Sequence, residues 1–176
     1  MNSNDTICAL ATAPGGALGI IRVSGPKAFE AVSGICSVRC DSVAANTVHY
    51  THIVNIEGNV IDECMMSVFK APHSYTGENS VEISCHGSHY ILNKVIELLI
   101  QNGCRMANPG EYTQRAYLNG KMDLSQAEAV ADLIASSNQA THQLAMSQLR
   151  GGISSELDKL REQLLKLTSL LELELD

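Results

Sequence analysis

The chain has 176 residues, and a hydrophobic fraction of 45% with only 18% charged residues is typical of a protein that folds around a core. Intrinsic disorder is therefore excluded as its main state. The formal net charge of −7 argues against a general nucleic-acid-binding surface, because such a surface needs an excess of lysine and arginine.

The sequence also indicates the compartment. It has no basic segment followed by an apolar run at its start and no stretch of about 18 apolar residues, so we predict neither a signal peptide nor a membrane span. Six scattered cysteines indicate reduced thiols in the cytoplasm. The closest pair, Cys36 and Cys40, lacks the two further ligands that a zinc site needs, and we predict no metal site.

Runs of β-branched residues between glycine and proline turns predict an α/β domain over the first 120 residues, which hold all four prolines. In chain order we predict strands at 6–12 and 18–24, a helix from Pro26 to Ile35, strands at 48–56, 60–71 and 80–86, and a helix at 89–101 that Gly103 ends. A turn, a short helix and a break at Asn119-Gly120 follow.

Leucine, alanine, glutamine and glutamate dominate residues 121–176 and predict helices. We expect Ser125 to cap the first helix and Gly151-Gly152 to mark a kink or helix junction. Beyond the junction, apolar residues recur every three or four positions and predict a seam in a helical bundle. The seam consists of Ile153, Leu157, Leu160, Leu164, Leu167 and Leu171. The sequence stops within this helix without a stop signal, so we expect it to be a piece of a longer protein.

The predicted strand at 80–86 has one apolar and one polar face. Alternation assigns Val81, Ile83 and Cys85 to the core, and Glu82, Ser84 and His86 to the opposite side. The polar side fits the solvent face of an antiparallel sheet. Alternatively it is the floor of a ligand site, where the carboxylate of Glu82 would accept hydrogen bonds from the edge of a pterin or guanine.

Two cations have similar alternatives. Arg22 lies in the aliphatic strand 18–24, where it is either a structural arginine bonded to a carboxylate or a contact for an anion or pterin. Lys121 follows a helix end on a turn, where a solvated lysine is the ordinary interpretation. The polar loop 72–79 is either a connector or a substrate loop. The local pattern leaves these alternatives open.

Several catalytic motifs are absent from the sequence. It contains no G-x-x-x-x-G-K-[ST], so we predict no phosphate-binding loop and no nucleotide hydrolysis by these residues. It also contains no H-E-x-x-H, G-x-S-x-G or G-x-G-x-x-G. The sequence therefore offers no catalytic residues.

Five segments, 4–7, 13–25, 74–78, 82–87 and 109–134, together resemble the MnmE (TrmE) family of tRNA modification GTPases. The most specific stretch reads Pro109-Gly110-Glu111-Tyr112-Thr113, then Tyr117-Leu118-Asn119-Gly120-Lys121, then Gln126-Ala127-Glu128-Ala129. The family commonly has Phe where this chain has Tyr112 and Tyr117, and often a second Gly where it has Ser88. The resemblance runs along the whole chain.

The resemblance implies an α+β or α/β fold: a mixed-sheet domain similar to tetrahydrofolate-binding, aminomethyltransferase-like domains, followed by part of a helical bundle. Residues 1–120 would be a folate-binding and dimerisation domain. Residues 121–176 would be the first helices of a helical domain, which stop before the family's inserted GTPase domain. Position by position, Arg22, Glu82 and Lys121 match the family's contacts to 5-formyltetrahydrofolate.

The resemblance also implies an activity and partners. The complete family protein would use GTP, Mg²⁺ and K⁺ and act with the FAD protein MnmG on the wobble uridine of tRNA, where it installs a carboxymethylaminomethyl group at C5. One alternative is a folate-dependent aminomethyltransferase-like protein that does not act on tRNA. Another is a dimerisation scaffold that has lost its ligand.

Overall fold

The computed structural model describes residues 5–175, apart from the side-chain surroundings of residues 153, 154 and 171–175. The chain forms two compact units, Met1–Asn119 and Gly120–Asp176. The first unit contains the sheet and three helices, and the second contains helices alone.

The first unit is built on one six-stranded sheet. Its strands are β1 (Thr6–Leu10), β2 (Leu18–Ser24), β3 (Thr47–Val54), β4 (Val60–Phe69), β5 (Ser80–His86) and β6 (Cys104–Met106). Their order in the sheet is β3-β4-β5-β2-β1-β6. All neighbours are antiparallel except β1 and β6, which are parallel. The mixed sheet expected from the family resemblance is confirmed.

Helices α1 (Ala28–Ser33) and α2 (His89–Gln101) bury their apolar sides in the same core as one face of this sheet. The core is aliphatic and sulfur-rich, and its largest buried members include Ile21, Val23, Ile35, Ile53, Met66, Val68, Ile83 and Leu99. A third helix, α3 (Glu111–Leu118), follows β6. We call the sheet face that does not join this core the open face; it carries Leu18, Val48, Tyr50, Met65 and Ser84.

Hydrophobic periodicity located most of these elements. β2, β5 and α2 have the predicted bounds, and β5 divides its faces as expected: Val81, Ile83 and Cys85 are fully buried. The prediction for β1 runs two residues too far. The three-residue β6 and a 3-10 turn at Cys40–Ser42 were not predicted, because both are too short to show a period.

The link between β5 and α2 requires a glycine. The N–H of Gly87 donates to the carbonyl of Ala17 at 2.8 Å, and a Cβ added at Gly87 would overlap the carbonyl oxygen of Gly16. The next residue, Ser88, has φ −67° and ψ 126°, an extended conformation that any L-residue adopts. Serine at position 88 therefore needs no special backbone.

We expect Gly87→Ala to lower the free energy of unfolding by about 3 kcal/mol, because backbone must move to relieve the overlap. Urea denaturation measures the change. Gly16→Ala is the matched control, since its added Cβ would lie 3.4 Å from the carbonyl oxygen of Leu18, without overlapping it. Equal stability of the two variants would contradict the prediction.

The second unit contains α4 (Leu124–Ala135), α5 (Gln139–Leu149) and α6 (Gly152–Leu175). The predicted cap at Ser125 is wrong. Asp123 caps α4, because its side chain accepts from the N–H of Gln126 while the Gln126 side chain accepts from the N–H of Asp123. The predicted junction is confirmed: α5 ends before Gly151, whose φ is +79°.

The leucine seam of α6 is exposed. Leu157, Leu160, Leu164 and Leu167 are each more than half exposed, so the described residues of this chain do not provide the predicted bundle packing. The predictions for Ile153 and Leu171 lie outside the residues whose side chains are described.

All six cysteines are buried and none forms a disulfide. Between residues 5 and 175 no three His, Cys, Asp or Glu side chains form a group that could hold a metal ion. In the same range, no helix combines the length and apolar character needed to cross a membrane.

Candidate ligand site on the open face of the sheet

Strand pairing brings two of the three candidate residues together. Arg22 of β2 and Glu82 of β5 are directly opposed in the antiparallel register, although they are sixty residues apart in sequence. The Nε and Nη2 of Arg22 lie 2.8 and 2.7 Å from Oε1 of Glu82. Both side chains retain about a quarter of their surface exposed. The pair is therefore ordered and still accessible to a ligand.

The two oxygens of Glu82 are used differently. Oε1 accepts a hydrogen bond from the Nε–H of Arg22 and lies 2.7 Å from its Nη2, whereas Oε2 accepts no hydrogen bond from any residue that the structure describes. A carboxylate oxygen accepts about two hydrogen bonds. The capacity left for a ligand is thus mainly on Oε2, beside the remaining N–H groups of Arg22. Adjacent acceptor and donor groups suit the edge of a heterocycle that carries an N–H next to a carbonyl.

Two aromatic rings complete this site, and sequence reasoning missed both. The guanidinium carbon of Arg22 lies over the rings of Tyr75 and Tyr112, 5.4 and 5.5 Å from their centroids. Tyr75 comes from the loop after β4 and Tyr112 from the first turn of α3. Both lie in segments that carry the family resemblance, which was the only signal for them.

Lys121 belongs to the second unit. It is exposed, next to Gly120, which has φ +69°, and two residues before the cap of α4. The predicted turn after a helix end is therefore present. The structure thus brings Arg22 and Glu82 together within the first unit and describes Lys121 within the second.

Another polar residue of β5, His86, has a structural partner. The Nδ1 of His86 lies 2.7 Å from Oδ1 of Asp62, and the backbone N–H of His86 donates to Oδ2 of the same carboxylate at 2.9 Å. Asp62 is almost fully buried, whereas the His86 ring is exposed. This pair fixes the end of β5 against β4. Ser84 lies on the open face opposite Met65.

A network of ion pairs stands beside the site. Arg105 makes a two-pronged pair with Glu111, at 2.6 and 2.9 Å, and its Nε bonds Asp5 at 2.7 Å. Arg115 pairs with Asp5, Glu111 and Glu78, the last at 3.2 Å. The network ties the start of β1 to β6, α3 and the loop before β5. All but Arg105 lie in segments of family resemblance, yet no role had been predicted for them.

This network perturbs its carboxyl groups. Hydrogen bonds from Arg105 hold the pKa of Glu111 at about 2, below its ordinary value of 4.5, against a desolvation that would raise it. Hydrogen bonds from Arg105 and Arg115 also lower the pKa of Asp5. Burial also raises the pKa of Tyr112 above its ordinary value of 10.

A depressed folded-state pKa predicts acid sensitivity. The stability that Glu111 contributes is fully present above its unfolded pKa and is lost as pH falls through the folded value. We therefore expect unfolding free energy to decline between about pH 5 and pH 2, by on the order of 3 kcal/mol from this residue. Urea denaturation from pH 2 to pH 7 should show a shallower decline for Glu111→Gln. An exposed control, Glu97→Gln, should keep the wild-type slope, and identical slopes for all three would contradict the assignment.

Together, the fold and site define a class: a mixed-sheet domain with an accessible carboxylate–guanidinium pair, followed by a helical domain. Comparison with known families agrees. Residues 6–121 match the family described as GTP-binding protein TrmE N-terminus, and residues 124–176 match the MnmE helical domain. The chain belongs to the MnmE (TrmE) family.

Curated relatives carry the same family name. A tRNA modification GTPase MnmE from Bacteroides thetaiotaomicron is 63% identical over 99% of this chain, and one from Parabacteroides distasonis is 56% identical over 97%. One from Flavobacterium johnsoniae is 54% identical over the whole chain. The chain spans 38–39% of the length of these relatives.

Proposed function

We propose that this chain is the N-terminal part of a tRNA modification GTPase, and that its sheet domain binds 5-formyltetrahydrofolate and dimerises. The complete protein would install the carboxymethylaminomethyl group at C5 of the wobble uridine in cytoplasmic tRNA. It would do so with GTP, Mg²⁺ and K⁺ and with the FAD protein MnmG. These 176 residues lack a phosphate-binding loop and would not hydrolyse GTP alone.

The observation that carries the folate proposal is the Arg22–Glu82 pair. Its open acceptor, Oε2 of Glu82, suits the ring N–H of a pterin, and the remaining N–H groups of Arg22 suit a carbonyl or formyl oxygen. The geometry refines the sequence hypothesis, in which the whole carboxylate of Glu82 takes the amino and ring N–H edge. With Oε1 occupied by Arg22, Oε2 would take most of that interaction.

We keep Lys121 as a proposed third contact to folate because its position matches a folate contact of the family that the sequence resembles. Its ammonium would donate to a carbonyl or glutamate oxygen of the ligand. Lys121→Ala tests it separately from the pair on the sheet.

Dimerisation is proposed through the open face. Val48, Tyr50 and Met65 project from β3 and β4 on this side, and Leu18 projects from β2; all four are more than two fifths exposed. Clustered apolar side chains on a sheet face commonly mark an interaction surface. A second copy would cover them, and Arg22 and Glu82 lie on the same face.

Titration calorimetry of this chain with 5-formyltetrahydrofolate tests ligand binding. Saturable heat with one ligand per chain is expected. The ligand assignment would be refuted if neither this chain nor the full-length protein released or absorbed heat on titration.

Sedimentation velocity tests the dimer. We expect a wild-type dimer and a Met65→Asp variant that dissociates at least tenfold more readily, because a charge in an apolar interface loses its hydration. Tyr90→Asp, on the exposed side of α2, is the control and should remain dimeric. A monomeric wild type, or a Met65→Asp variant that stays dimeric, would contradict the proposed interface.

A further inference from the structure

The guanidinium of Arg22 is held by more than its ion pair. Its carbon lies over two tyrosine rings at 5.4 and 5.5 Å, while its Nε donates to Oε1 of Glu82 and its Nη2 lies 2.7 Å from the same oxygen. Cations at this distance from an aromatic ring centre are attracted to the ring face. A lone surface arginine would sample many rotamers, so these contacts restrict it to one arrangement.

The rings that hold Arg22 are themselves fixed. The hydroxyls of Tyr75 and Thr113 lie 2.9 Å apart and share a hydrogen bond, which joins the loop 72–79 to α3. The hydroxyl of Tyr112 donates to the backbone carbonyl of Arg22 at 2.6 Å, which joins α3 to β2. The rings thus come from two elements outside the β2–β5 pair and are anchored independently of Glu82.

We propose that Tyr75 and Tyr112 are positioning residues for ligand recognition by the Arg22–Glu82 pair. By keeping the guanidinium on Oε1, they leave Oε2 of Glu82 and the outer N–H groups of Arg22 side by side as a preformed acceptor–donor edge. A ligand then binds without first ordering the arginine, which strengthens binding. This inference rests on the proposed folate function, and its test separates the two.

The first arm uses no ligand. NMR of the wild-type chain should show an Nε–H signal of Arg22 that is protected from exchange with water. The side-chain protons of Arg22 should also be shifted upfield by the rings of Tyr75 and Tyr112. Tyr75→Leu should lose several-fold of that protection and part of the shift, whereas Tyr75→Phe, which keeps the ring but loses its hydrogen bond to Thr113, should retain most of both. Unchanged Arg22 signals in Tyr75→Leu would overturn the positioning role.

The second arm measures affinity for 5-formyltetrahydrofolate. We expect Tyr75→Leu to bind roughly 2- to 30-fold more weakly, in line with about 0.5–2 kcal/mol for a cation–π contact. Tyr75→Phe should stay within twofold of wild type. Tyr112→Phe keeps the ring that contacts the guanidinium of Arg22 and loses only the hydrogen bond to the Arg22 carbonyl. Its affinity should therefore also stay close to that of the wild type. Tyr90→Leu, remote from the site on α2, is the control for a lost exposed tyrosine.

The outcomes separate the two proposals. Altered Arg22 signals in Tyr75→Leu with unchanged folate affinity would show that the rings do not assist recognition and would overturn the inference. A wild-type chain with the expected Arg22 signals but no folate binding would overturn the proposed function, leaving the arginine geometry established. Melting temperatures of the Tyr75 variants close to wild type exclude unfolding as the cause of weaker binding.

Discussion

Replacing Glu82 by glutamine is expected to weaken 5-formyltetrahydrofolate binding by roughly 10- to 100-fold, the loss typical of a hydrogen bond to a charged group. Glutamine keeps the size of the side chain. It removes the charge that pairs with Arg22 and replaces one acceptor oxygen with a donor amide. Both effects act on the acceptor–donor edge that a ligand would contact.

Titration calorimetry measures the loss, and Glu97→Gln is the control because it removes an equally charged, exposed glutamate from α2. Arg22→Gln should produce a loss of similar size, since it removes the other half of the pair. Wild-type affinity in Glu82→Gln would exclude this carboxylate from the ligand site. Comparable losses in Glu97→Gln would show that net charge, rather than the pair, controls binding.

The second large effect is expected from Arg115. Its side chain is 9% exposed and pairs with three carboxylates, of which Glu111 is 5% exposed. Removal of one partner from a buried ion pair costs about 3–5 kcal/mol, because the remaining charge is left without compensation. We therefore expect Arg115→Met to reduce the free energy of unfolding by that amount, despite the retained aliphatic volume.

Urea denaturation measures this change, and Arg39→Met is the matched control. Arg39 also forms an ion pair, with Asp41, but both side chains are more than half exposed, so its loss should cost less than about 1 kcal/mol. Arg115→Lys, which keeps one charge but not the planar fork, should fall between wild type and Arg115→Met. A cost for Arg115→Met no larger than for Arg39→Met would show that the network does not stabilise the fold.

Hydrophobic periodicity correctly predicted features that depend only on neighbouring residues, such as which side chains of a strand face the core. The alternation Val81-Glu82-Ile83 assigned the faces of β5 correctly because side chains alternate along any strand. The cap of α4 could not be chosen from the sequence, because serine and aspartate both commonly cap helices. The structure shows that the cap is Asp123, whose side chain accepts from the N–H of Gln126, and not Ser125. The short β6 carries too few residues for any period to be visible.

The site itself depends on distant pairing, which the sequence does not encode locally. β2 could pair with several strands, and only its register with β5 puts Arg22 opposite Glu82. The alternatives left open for Arg22, a structural partner or a ligand contact, turn out to be compatible, because its carboxylate partner is itself a candidate contact. Tyr75 and Tyr112 carried no distinguishing local pattern, so their position over Arg22 could only come from the structure.

The order of these residues along the chain has a consequence for synthesis. A ribosome that has released β4 has already made Arg22 but not its partner Glu82, and Tyr112 emerges thirty residues after Glu82. If the proposed folate site is correct, a nascent chain would therefore present no folate-recognising edge until β5 has paired with β2. Retention on a folate-bearing resin would thus select finished domains and leave stalled translation products behind.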